Sequence, residues 1–314
     1  MSLQERQLHR LGEVTKWAKR IRETLGHVLE AHGDRVHFRP GSNGVAMISL
    51  LSDRPQRGRS KLKDLGRVAR NFEVLFEKHC QDIGQGRETR EKALQSFLIS
   101  EAYRNGRAMV SLNDASGNTN EPVELVFVTD EIPVPTESGE IVCDILALRR
   151  DGRRCTPVLI ELKTERLLTR LVQQVESYSA LMDEFPEEFE ALFSAILGEP
   201  IRFDAAAERW IVWPSSGRLP DPHEDELAEE RIRIAGYSKV ENSFSFSVGI
   251  GRPRCSACKS TDAVVPVVHG EPGPELEAQA ARGEVILGGC IIHEDSRPWH
   301  CKQCGQDFGR PVST

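Results

Sequence analysis

Long apolar runs are missing from this chain of 314 residues. No stretch approaches the roughly 18 apolar residues of a membrane-spanning helix, so no membrane partner is expected. The opening MSLQERQLHR lacks the apolar stretch of a secretory leader, which points to a cytoplasmic protein. An excess of positive charge is missing too: the formal net charge is −7. That does not favour nucleic acid as a partner, although an acidic protein with a local basic surface still binds it. Internal repeats and low-complexity tracts are also lacking, which excludes a repeat array or a compositionally biased tail.

What is present suits a globular chain. Apolar residues make up 39% and charged residues 28%, enough for one large domain and a small one. One basic stretch stands out: residues 54–70, RPQRGRSKLKDLGRVAR, hold seven basic residues and one acid. It reads as a solvated loop and helix face or as a phosphate contact. Of eight cysteines, four form two Cys-x-x-Cys pairs near the C-terminus, while Cys80, Cys143, Cys155 and Cys290 are scattered. Without an export signal this pattern predicts metal binding rather than a disulfide framework.

Along the chain, apolar positions at spacings of three and four predict a helix to about residue 32, through Leu8, Leu11, Val14, Trp17, Ile21, Leu25, Val28 and Leu29. Two strands around a Gly-rich turn follow, then a helix near 63–82. These make an N-terminal helical/α+β segment, residues 1–87, with no legible role. From 88 to 250 the order is helix, strands, helix, strand, helix, an α/β pattern. Glu91 heads the apolar stripe Leu94, Leu98 and Ala102 of the first helix. An acid there needs a partner or a solvated margin. In the later amphipathic helix Leu168, Leu171, Val172, Val175, Ser179 and Met182 line the buried side. EDELAEERIRIAGYSKV reads as a helix leading to a last strand, and GIGRPR, residues 249–254, as a linker.

The chemistry concentrates in GEIVCDILALRRDGRRCTPVLIELK, a hairpin with Asp151-Gly152 as its turn signal. If the two-residue turn is Gly152-Arg153, Asp144 lies opposite Glu161. If it is Asp151-Gly152, Glu161 becomes a diagonal neighbour. Either register puts Asp144, Glu161 and Lys163 on one face, because strand side chains alternate. Two carboxylates held close raise each other's proton affinity, and a divalent cation resolves the conflict. A lysine beside them can orient a water and offset charge on phosphorus. The plainer alternative is a half-buried strand with an edge ion pair between Glu161 and Lys163.

Asp144, sixteen intervening residues and then Glu161-Leu162-Lys163 resembles the PD-(D/E)XK nuclease superfamily. The flanking helices are similar to its α-β-β-β-α-β restriction-endonuclease-like core. The spacing Gln174-x-x-x-Tyr178, on a face with Leu167, Leu171 and Leu181, is similar to the RecB-like branch. The resemblance spans residues 88–250. It implies that Asp144 and Glu161 bind Mg²⁺ or Mn²⁺ with the Leu162 carbonyl, that Lys163 orients the attacking water, and that Glu91, chosen over Glu88, supports the metal. Gln174 and Tyr178 would steady the site or touch nucleic acid. The chain departs from the family pattern at Cys143, where a proline is common.

Cys255-x-x-Cys258 and Cys301-x-x-Cys304 offer four thiolates for a closed, structural Zn²⁺ site. The gap of forty-two residues between them is long for a minimal ribbon, and PGPELEAQAARGE is expected to fill it with a short helix. Cys290, His293 and His300 compete as ligands; Cys290 reads as a core thiol and the histidines as surface residues. The module, residues 251–314, looks like a zinc ribbon, and metal should supply much of its folding energy.

These readings combine into a metal-dependent nuclease, a phosphodiester hydrolase acting on DNA with a C-terminal zinc ribbon. The resemblance alone suggests restriction, phage defence or repair. The alternatives are a catalytically silent nucleic-acid-binding fold and an interaction scaffold working through the ribbon and the N-terminal helices. Homodimerisation stays open.

Overall fold

The computed structural model describes residues 1–51, 57–82, 90–115, 123–164, 171–214, 232–240, 243–250, 255–260, 263–269, 272–283, 285–289, 296–297 and 299–309. The chain divides into two compact units: Met1–Gly217 with Ile234–Gly249, and Arg218–Arg233 with Ile250–Thr314. The N-terminal segment belongs to the first of these.

Helix α1 (Leu3–His32) starts on a capping box. Ser2 accepts from the Glu5 N–H, and the Glu5 carboxylate accepts from the Ser2 N–H. The helix buries two stripes. Trp17, Ile21, Leu25 and Val28 pack on Val36, Phe38, Val45 and Met47 of the hairpin β1 (Val36–Gly41) and β2 (Gly44–Ser49). Leu11, Val14 and Ala18 instead join the central core, which Phe189, Leu192 and Phe193 share with apolar residues of the main sheet. One long helix thus joins the N-terminal core to the central one. Leu8, expected inside, is exposed.

The basic stretch contains a strand, β3 (Arg57–Leu62), that its composition did not announce. It pairs with β2 and completes a three-stranded sheet ordered β1-β2-β3. The helix expected near 63–82 is two, α2 (Leu65–Arg70) and α3 (Phe72–Asp82). Asn71 separates them: its N–H and side-chain amide both turn back to the Arg67 carbonyl, and its own φ and ψ are not helical.

After α4 (Arg90–Arg104) and the short α5 (Val110–Ala115) come β4 (Val123–Asp130), a small hairpin β5 (Val134–Thr136) and β6 (Gly139–Ile141), then β7 (Ile145–Asp151) and β8 (Arg154–Leu162). Helices α6 (Leu171–Glu184) and α7 (Pro186–Leu197) lead to β9 (Glu208–Pro214), β10 (Arg233–Val240) and β11 (Ser243–Ile250). The small helix α5, the β5–β6 hairpin, α7 and β11 were not expected from the sequence. β11 also runs through Gly249 and Ile250, so the expected linker begins inside a strand; residues 251–254 and the helix expected at 224–231 lie outside the described residues.

The central sheet is ordered β11-β10-β9-β8-β7-β4. β4, β7 and β8 are antiparallel neighbours, and β8 pairs with β9 in parallel. This is a mixed α/β architecture. Strand alternation divides the core: Leu146, Leu148 and Leu159 meet α1, α6 and α7, while Ile145, Ala147, Val158, Ile160 and Leu162 meet α4. The β7–β8 register sets Ile145 against Ile160 and Asp151 against Arg154. The loop is therefore Gly152-Arg153, not Asp151-Gly152. Gly152 takes φ 57°, a left-handed conformation suited to glycine.

In the second unit, β12 (Val264–Val268), β13 (Ile286–Leu287), β14 (Trp299–Cys301) and β15 (Asp307–Phe308) form a sheet ordered β13-β12-β14-β15. Helix α8 (Pro274–Ala281) occupies the long gap between the cysteine pairs, as expected.

Candidate active site and cysteine cluster

Asp144 is a bend residue one position before β7, and Glu161 is the penultimate residue of β8. Continuing the register from Ile145 and Ile160 puts the two acids opposite each other. Glu161 is buried and Asp144 half-buried. The Leu162 N–H donates to Asp144 Oδ2 at 2.8 Å, which ties the first acid to the strand carrying the second.

Lys163 follows β8. Its N–H donates to the Val212 carbonyl at 2.8 Å and so continues the β8–β9 ladder. Its Nζ lies 2.6 Å from Glu161 Oε1. Gln174 of α6 reaches the same oxygen at 2.8 Å and the Val142 carbonyl at 2.9 Å. Glu161 is thus held by an ammonium and an amide from two elements.

The electrostatics match this crowding. Burial, and then the neighbouring Asp144 charge, push the Glu161 carboxyl up to about 7, against the pull of Lys163. Burial and Asp144 also raise Glu91, near the start of α4, and Lys163 opposes the rise. Burial disfavours the Lys163 ammonium, but Glu161, Asp144 and Glu91 outweigh it and raise its proton affinity. Lys163 and the Asp144 charge thus act on both Glu91 and Glu161.

Tyr178 is placed differently. It is fully buried in the core beneath α6, packs edge-on against Phe189, and donates to the Ile132 carbonyl at 3.1 Å. Its ring supports the loop after β4, whereas Gln174, one turn earlier, serves Glu161. Leu167 and Leu168 lie outside the described residues, as does Glu88.

Sequence reasoning missed three residues beside the acids. Gln95 Nε2 donates to the Asp144 carbonyl at 2.9 Å. Lys92 Nζ donates to Gln95 Oε1 at 3.0 Å and pairs with Glu131. The available signal was Gln95 itself, a polar residue inside an apolar helix face one turn after Glu91.

The donor set at Asp144, Glu161 and the Leu162 carbonyl is all hard oxygen, which fits Mg²⁺ or Mn²⁺ chemically. Glu91, Asp144 and Glu161 do not close to a set of three oxygens within 4.8 Å of one another. Among the described residues the cysteines do: donor atoms of Cys255, Cys258, Cys301 and Cys304 all lie within 4.8 Å of one another.

The cysteine cluster rests on two similar turns. Lys259 and Gly305, each just after the second cysteine of its pair, take left-handed φ of 61° and 73° and donate back to the carbonyls of Cys255 and Cys301. Sulfur separations of 3.4 Å for Cys255–Cys304 and 3.5 Å for Cys258–Cys301 exceed a disulfide bond. They approach the edge of a zinc–thiolate tetrahedron, about 3.8 Å from bonds of about 2.3 Å. His300 is half-buried and bonds to Asp307 at 2.6 Å. Cys290 and His293 lie outside the described residues.

No family model, curated protein or solved structure matches the chain at a significant level.

Proposed function

We propose that this chain is a metal-dependent nuclease of the PD-(D/E)XK type, RecB-like branch, that hydrolyses phosphodiester bonds in DNA, and that its four-cysteine cluster holds a structural Zn²⁺. One observation carries the reading: Asp144 and Glu161 share a face at the open end of a hairpin, with Lys163 Nζ 2.6 Å from the second acid. The order α4, β4, β7, β8, α6, β9, with α5, the β5–β6 hairpin and α7 inserted, supports it by its similarity to the α-β-β-β-α-β pattern that the resemblance implies.

Asp144, Glu161 and the Leu162 carbonyl are the groups that would hold Mg²⁺, which when bound supplies Lewis-acid charge to a phosphate and a water. Lys163 places a positive charge where negative charge grows on phosphorus, and its N–H groups orient the attacking water. Gln174 fixes the Glu161 rotamer, so that carboxylate does not swing away. Glu91 keeps a further carboxyl within electrostatic reach of Asp144 and Lys163.

The test is digestion of circular, linear and single-stranded DNA with Mg²⁺ or Mn²⁺. Cleavage by the wild type is expected to fall at least ~100-fold in Lys163→Ala and Asp144→Asn, with unfolding midpoints retained. A metal-loaded wild type that cuts none of these, or a Lys163→Ala protein that cuts as well, would leave a silent nucleic-acid-binding fold or a scaffold as the reading.

A further inference from the structure

The N-terminal hairpin reaches the candidate site through a polar chain that is buried except at Lys92, which is half-buried. Glu131, just after β4, has φ 42°, unusual for a non-glycine residue. That conformation directs its N–H to the carbonyls of Cys143 and Asp144, at 3.1 and 3.3 Å. Its carboxylate is buried and pairs with Lys92 on one side and with Arg39 Nη1 of β1, at 2.9 Å, on the other. Arg39 also forks onto Asp130, with Nε 2.8 Å from Oδ1. Lys92 continues to Gln95, and Gln95 ends on the Asp144 carbonyl. Two buried acids thus face two cations, and the chain runs from β1 to the first acid of the site.

Asp144 lies outside the β7 ladder, so regular pairing with β8 does not fix its main chain. Gln95 and Glu131 supply hydrogen bonds to its carbonyl instead. Partners one step removed from a metal set its affinity by orienting the ligands.

We propose that Arg39 and Gln95 are positioning residues for the Asp144–Glu161 pair, which makes the N-terminal hairpin part of the site rather than an appendage. This rests on the nuclease reading. Gln95 acts on Asp144 directly. Arg39 acts at a distance by neutralising Glu131, whose N–H holds the same carbonyl. Without Arg39, Asp130 would keep its bond to His37 and Glu131 its pairing with Lys92, but both buried acids would lose the guanidinium they share.

The test is Mn²⁺ binding by calorimetry on full-length protein preloaded with zinc, alongside cleavage as a function of Mn²⁺ and the unfolding midpoint. Gln95→Met and Gln95→Glu are both expected to weaken Mn²⁺ binding about ten-fold or more. The Mn²⁺ concentration for half-maximal cleavage should rise in step, with less loss at saturating metal. Gln95→Glu is decisive, because it keeps an acceptor for Lys92 and loses the donor to Asp144. Wild-type Mn²⁺ affinity in that variant overturns the proposal. Arg39→Lys should retain more affinity than Arg39→Met, and where Arg39→Met fails to fold the Gln95 pair decides. Mn²⁺ binding that Asp144→Asn leaves unchanged would instead remove the nuclease reading, and this inference with it.

Discussion

Gln174 Nε2 sits 2.8 Å from Glu161 Oε1 while also donating to the Val142 carbonyl, so one amide joins the second acid of the site to the strand approach of the first. Gln174→Leu removes both bonds and keeps the volume. A buried carboxylate and a carbonyl then each lose a donor, at about 1–3 kcal/mol for a group left unsatisfied. The expected result is cleavage reduced by an order of magnitude or more and a lower unfolding midpoint. Cleavage at the wild-type rate would show that Glu161 does not need this clamp.

Tyr178 makes the opposite prediction although it shares the sequence motif. Its hydroxyl meets the Ile132 carbonyl in the core. Tyr178→Phe is expected to cost about 1–2 kcal/mol in urea unfolding and to leave the cleavage rate within a factor of two or so once the protein is folded. A large loss of cleavage without loss of stability would put the hydroxyl in contact with substrate.

The difference between these two residues shows where sequence reading works. A spacing of four puts Gln174 and Tyr178 on one helix face, yet it does not say that one meets an acid and the other a loop carbonyl. The hairpin with Asp144, Glu161 and Lys163 was legible because strand alternation is a local rule. Its register was narrowed to two choices and needed the Gly152-Arg153 loop to decide. Arg39, Glu131 and Gln95 were not legible as a set, since residues 39, 95 and 131 meet only through tertiary packing. β3 was hidden for another reason: RGRSKL carries none of the β-branched or aromatic residues that favour strands, and pairing with β2 overrides that.

Acid should weaken the N-terminal junction in two stages. Burial holds His37 below its usual value, with Arg39 and Arg107 adding to that and Asp130 opposing it. The unfolded chain therefore takes up a proton near pH 6.5 that the folded chain refuses, and stability falls as pH drops below about 6.5. Asp130 is displaced in the same sense for linkage. Burial raises it, but Arg39 and His37 more than reverse that and hold it well below the usual carboxylate range. Its contribution is present above the unfolded value, about 3.9, and is lost as pH falls through that region. Urea titrations at about pH 7.5, 5.5, 4 and 2.5 should show the two stages of decline. His37→Gln can still donate to Asp130 and should flatten the first stage. A residual slope is expected from His79, which burial also holds down. An unchanged first stage would mean that His37 is free to protonate in the fold.

Removing metal from the cysteine cluster should unfold the small unit selectively. Among the described residues its main apolar cluster is Cys255, Val264, Trp299, Cys301 and Phe308, and two of these belong to the proposed zinc set, so the ion should contribute much of the unit's stability. Trp299 is buried within it, whereas Trp17, Trp210 and Trp213 are buried in the larger unit. The wild type is expected to carry about one zinc per chain. Chelation should shift tryptophan emission to longer wavelength, and the shift should vanish in Trp299→Phe. Cys301→Ser should lose the zinc and show the shifted emission without chelator. Zinc retained in both Cys255→Ser and Cys301→Ser would mean that the metal sits elsewhere, and an unshifted Trp299 after complete removal would mean that the apolar core holds the unit on its own.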